Sequence, residues 1–102
     1  MIRGTTPKHI FALPFDVDMI AKIRIIYRQN KEIILTKTND GVVLDGKRVE
    51  VTLSQEDTLA FQSGHKVEIQ VRVLLNDETA MASDIYTIPC GCCLENEVIT
   101  CD

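Results

Sequence analysis

Apolar and polar residues alternate along much of this chain, most cleanly in KVEIQVRV at 66–73. Val67, Ile69, Val71 and Val73 fall on one side of an extended chain, and Lys66, Glu68, Gln70 and Arg72 on the other. Successive strand side chains leave opposite faces, so the run predicts a strand with one face in a core and one in water. RVEVTL repeats the pattern, with Val49, Val51 and Leu53 inward and Arg48, Glu50 and Thr52 outward. KIRIIYR follows it less cleanly: Ile23, Ile25 and Tyr27 oppose Lys22, Arg24, Ile26 and Arg28. Ile26 interrupts that polar face and is expected to cover a neighbouring element or a partner.

Turn residues separate the runs. Asn39-Asp40-Gly41 and Asp45-Gly46 carry hairpin chemistry, since Gly accepts a positive φ and Asp or Asn closes the turn. Asn76-Asp77 predicts a further hairpin between VEIQVRVLL and ETAMASDIYTI. These signals predict seven strands, at 8–13, 22–29, 32–38, 42–45, 48–54, 66–75 and 79–89, with a short final strand near 97–100. One stretch reads as helix. In SQEDTLAFQSG, Ser54 is the N-cap, Asp57 stands at capping-box spacing, and Glu56 and Asp57 suit the positive end of the helix dipole. Leu59 and Phe61 reach the core and Gly64 is the stop. Residues 16–20 read as a second short helical turn. The expectation is an all-β fold, a single immunoglobulin-like antiparallel β-sandwich spanning 1–102 with one short helix near 54–61.

Composition fits that reading. A chain of 102 residues, 45% hydrophobic and 25% charged, suffices for one core. The net charge of −4 and the scatter of Lys and Arg along the sequence argue against a nucleic-acid partner. No stretch approaches the roughly 20 apolar residues of a membrane-spanning helix, which argues against a membrane role. The opening reads as no secretory signal, because its longest apolar run, IFALPF, is short and contains Pro14.

The candidate chemistry lies in PCGCCLENEVITCD, which holds all four cysteines: Cys90, Cys92, Cys93 and Cys101. A structural zinc site commonly draws on two separated C-x2-C knuckles, and the C-x-C-C-x7-C spacing supplies neither. If residues 85–93 continue as a strand, Cys90 and Cys92 share a face and Cys93 takes the other; only a bulge at Gly91 would let three ligands converge. The reading is therefore of free thiols behaving as small hydrophobes, with no metal or other cofactor. His9 and His65 stand in no nucleophile motif, and the carboxylates are assigned to turns and solvent faces. The chain is expected to be no enzyme, with no catalytic and no cofactor-binding residues.

Two stretches carry a resemblance. RGTTPKHIFALPFDVDMIAKIRIIYRQ resembles the opening of small proteins encoded in bacteriophage and prophage tail-gene regions, whose pattern is RGTTPTHTFTLPFD followed by a strand. VTLSQEDTLAF, KVEIQVRVLLNDETAMASDI and the closing LENEVI are similar to their second half. A more distant similarity, in strand–helix–strand layout, is to the N-terminal β-sandwich domains of phage baseplate upper proteins. The chain departs from the pattern at Cys90–Cys93, where a Val-Gly-like strand end is expected. The resemblance implies a tail- or baseplate-associated structural protein acting by protein–protein contact. Its partners would be other virion or tail proteins, and its place the virion or the bacterial host cytoplasm; the open edges of an antiparallel sheet also allow pairing with further copies of the chain. The alternative is a small phage-encoded binding protein that inhibits or sequesters a host factor.

Overall fold

The structure, a computed structural model, describes residues 1–101. Its strands are β1 (Lys8–Ala12), β2 (Ile20–Gln29), β3 (Glu32–Lys37), β4 (Val42–Asp45), β5 (Arg48–Thr52), β6 (Val67–Leu75), β7 (Ala80–Ala82) and β8 (Tyr86–Ile88). A five-residue helix, α1 (Gln55–Leu59), joins β5 to β6. All strand pairs are antiparallel and form two sheets. The smaller has the order β1-β5-β4; the larger has the order β3-β2-β6-β7, with β8 also pairing with β6.

The alternating runs form the facing inner layers. Val49, Val51 and Leu53 come from β5 and its exit; Ile23, Ile25 and Tyr27 come from β2; Val67, Ile69, Val71, Val73 and Leu75 come from β6. All are buried in one cluster with Phe61, whose ring meets Tyr27 edge-on at 6.0 Å. This is the all-β, two-sheet sandwich that the alternation predicts.

The helix start agrees with its sequence signature. The Ser54 hydroxyl accepts from the Asp57 N–H at 3.0 Å, and the Asp57 carboxylate accepts from the Ser54 N–H at 2.9 Å. The helix is shorter than expected and ends at Leu59, and Gly64 takes a positive φ of 80° in the turn beyond. A short 3₁₀ turn occupies Val17–Met19, inside the expected 16–20. Asp45-Gly46 closes the β4–β5 hairpin, and Asn76-Asp77 lies in the turn joining β6 to β7.

Three expectations are corrected. Asn39-Asp40-Gly41 closes no hairpin; it is a 3₁₀ turn carrying the chain from β3 in the larger sheet to β4 in the smaller one. The Asn39 side chain holds that crossing by extending the ladder of β2. Its Oδ1 accepts from the Ile23 N–H at 2.9 Å, and its Nδ2 donates to the Ala21 carbonyl at 3.3 Å. The single strand expected at 79–89 is divided into β7 and β8, because the register against β6 slips by one residue around Asp84 and Ile85. Ser83 bridges the break, its N–H donating to the Val71 carbonyl and its hydroxyl accepting from the Val71 N–H. No strand forms at 97–100. There the Ile99 backbone bonds the Gln55 side-chain amide, which donates to its carbonyl and accepts from its N–H.

Candidate functional site

The four cysteines do not come together as a ligand set. Strand β8 ends at Ile88, so the strand geometry considered for Cys90, Cys92 and Cys93 does not arise. Cys90 is buried beneath a clasp in which the Gly91 N–H donates to the Met1 carbonyl and the Arg3 N–H to the Gly91 carbonyl. Burial pushes its thiol upward in pKa, against the opposing charges of the N-terminal amine and Arg3. Cys93 is half-buried against Gly4, where a Cβ would stand 3.3 Å from its sulfur. Cys92 and Cys101 are exposed, and all four are free thiols. Among the described residues no three His, Cys, Asp or Glu side chains gather as a metal site.

His9 does more than its sequence setting indicates. It points inward from β1, and its Nδ1 lies 2.6 Å from the buried Tyr27 hydroxyl. Burial, and next the N-terminal positive charge, hold the imidazole below the usual histidine pKa. Burial, and next the charge of Asp57, raise the Tyr27 phenol well above its ordinary range. Burial alone would raise Asp57, but the Ser54 N–H and the Lys37 ammonium, 2.9 Å away, together hold its carboxylate below the usual value. Another buried polar group is Gln29. Its amide donates to the carbonyls of Gln62 and His65 and accepts from the Gln62 N–H, fixing the loop before β6. These groups tie the sheets and loops together inside the sandwich.

The outer face of the larger sheet has a different character. The alternation that buries Ile23, Ile25 and Tyr27 turns Lys22, Arg24, Ile26 and Arg28 outward along β2. Across the ladder, Arg24 stands opposite Arg72, Ile26 opposite Gln70, and Arg28 opposite Glu68. The β2–β3 turn adds Lys31, held with Asn30 at positive φ (66° and 51°) in a two-residue hairpin. Residues far apart in sequence thus form one basic face on a chain of net charge −4. Among the described residues its one close ion pair is Arg28 with Glu68, bidentate at 3.0 and 3.1 Å. That contact lowers the Glu68 pKa and raises that of Arg28. Among the described residues no carboxylate pairs with Lys22, Arg24, Lys31 or Arg72. Like charges directly across a ladder, as at Arg24 and Arg72, are destabilising when nothing answers them.

The same face carries apolar residues. Ile26, Ile33 and Ile85 line a shallow groove of about 410 Å³ together with Arg28, Lys31 and Arg72. Ile33 is 61% exposed and Ile85 50% exposed. Two irregularities put them there. A bulge in β3 leaves Ile34 as the extra residue, so that Ile33 aligns with Arg28 on the outer side while Leu35 aligns with Tyr27 on the inner. The slip between β7 and β8 brings Ile85 to the groove wall. A second hollow of about 220 Å³, lined by Lys22, Arg24, Arg72, Leu74 and Ala80, continues the face. Isoleucines flanked by unpaired guanidinium and ammonium groups suit contact with a polypeptide that is acidic and partly apolar.

The sequence signal for this face was the outward set Lys22, Arg24, Ile26 and Arg28 in KIRIIYR, whose odd member Ile26 marks the groove. What the sequence did not reveal was that Arg72, Lys31, Ile33 and Ile85 would join it. Among the described residues no helix is long and apolar enough to cross a membrane. No protein-family model, no curated protein and no solved structure matches the chain.

Proposed function

We propose that this chain is a non-enzymatic structural protein of a phage or prophage, associated with the tail or baseplate, which works through protein–protein contact. The phage assignment rests on the resemblance of RGTTPKHIFALPFD and the later stretches to tail-region proteins. The mode of action rests on the outer face of the larger sheet, where Arg72 lines a groove with the exposed Ile33 and Ile85 and stands across the ladder from Arg24. Exposed isoleucines and opposed arginines are both unfavourable in an isolated chain, and both are relieved when an acidic, partly apolar partner covers them. Quantitative mass spectrometry of particles purified from producing cells, set against the soluble lysate, tests this reading. A fixed copy number per particle is expected. Absence from particles, with recovery from the lysate bound to a host protein, would replace it with the host-factor binder.

A further inference from the structure

We propose that the outer face of the larger sheet receives the C-terminal segment of a second copy of this chain, giving head-to-tail assembly. The inference deepens the protein-contact reading above and rests on it.

Residues 94–101 form no strand, and their side chains are mostly spread in solvent: Leu94 is fully exposed and Ile99 is 70% exposed. Extended, the segment places Glu95, Glu97 and Ile99 on one side, an acid–acid–apolar series at period two. The face offers the complementary series Lys22, Arg24 and Ile26, also at period two along β2. Both series advance about 3.3 Å per residue, so two charge pairs and one apolar contact can form together without distorting either chain. Glu97 would then lie over the Arg24–Arg72 pair, where a carboxylate removes like-charge repulsion.

The contact has to be made between molecules. Within one chain the segment lies against α1, where Gln55 holds Ile99 and the Arg3 guanidinium donates to the Asn96 Oδ1 at 3.0 Å, and none of its residues lines the groove or the adjoining hollow. Docking exchanges those three exposed hydrogen bonds for buried apolar surface and ion pairs. Donor segment and acceptor face are different surfaces, so the interface is heterologous and generates a ring or an open array. A nucleic-acid backbone would also be drawn to Arg24 and Arg72, but it leaves Ile26, Ile33 and Ile85 uncovered and brings phosphate toward Glu68.

Sedimentation velocity of the full chain, in reducing buffer and over a concentration series, tests the proposal. Self-association that weakens with salt is expected. The face variant Arg24→Glu with Arg72→Glu and the tail variant Glu95→Lys with Glu97→Lys should each stay folded and lose association about tenfold or more. Mixing the two should restore it, since each retains the wild-type half that the other lacks. A wild-type chain that stays monomeric overturns the proposal, as does association that survives both variants. So does a face that binds duplex DNA, in an Arg24- and Arg72-dependent way, with no self-association. None of these outcomes alters whether the protein is found in particles, so the two readings fail separately.

Discussion

Gln29 shows how one side chain can hold two parts of the molecule. It occupies a buried position at the end of β2, and its amide bonds three backbone groups of the 62–65 loop. Gln29→Leu keeps the volume but strands those buried donors and acceptors. It is expected to cost about 2–4 kcal/mol, read from urea denaturation midpoints. His9 makes a second residue-scale prediction. Its pKa in the folded chain lies below the ordinary 6.5, mainly through burial. Between those two values the unfolded chain binds a proton that the native chain refuses, so stability falls as pH drops from about 6.5 through the folded value. Denaturation midpoints measured between pH 7 and 5 should fall for the wild type and fall less for His9→Gln. An equal fall in both would remove His9 from the account. Neither role was legible in the sequence. The alternation points Gln29 inward after Ile23, Ile25 and Tyr27, but its partners belong to a loop distant in sequence, and His9 meets Tyr27 only after the two sheets pack.

At the scale of elements, local chemistry was the reliable guide. The Ser54–Asp57 capping box, the Asp45-Gly46 hairpin and the turn at Asn76-Asp77 are each decided by neighbouring residues, and each formed. Ser54→Ala should cost about 1 kcal/mol in thermal or chemical denaturation. The loss should exceed that of an exposed Ser elsewhere, because Asp57 would also be less well placed toward Lys37. Where a distant strand decides, the same signals failed. Asn39-Asp40-Gly41 has hairpin chemistry, yet its Asn side chain bonds β2 and the chain departs to the other sheet. The β2–β3 turn does fall between the strands expected at 22–29 and 32–38, although Asn30-Lys31 has no glycine and is held at positive φ all the same. The split of the 79–89 strand depends on Ser83 meeting Val71, a contact across the sheet. No strand forms at 97–100, where the Ile99 backbone bonds the Gln55 side chain instead of a neighbouring strand.

The whole molecule separates its charge in a way the linear sequence conceals. Lys and Arg are dispersed along the sequence, but strand period and ladder register gather Lys22, Arg24, Arg28 and Arg72 on one outer face, around Ile26. One acid, Glu68, shares that face, while Glu95 and Glu97 lie in the segment after the last strand. The cysteine run leaves its thiols apart, one buried, one half-buried and two exposed. The candidate site is instead this face, and the measurement that tests it most directly is incorporation of Ile33→Asp and Arg72→Glu variants into particles from producing cells. Both residues are solvent-exposed, so both variants should keep the wild-type melting temperature. The account predicts that folded variant protein accumulates in the lysate while its copy number in purified particles drops well below wild type. Folded variants incorporated at the wild-type copy number would contradict it.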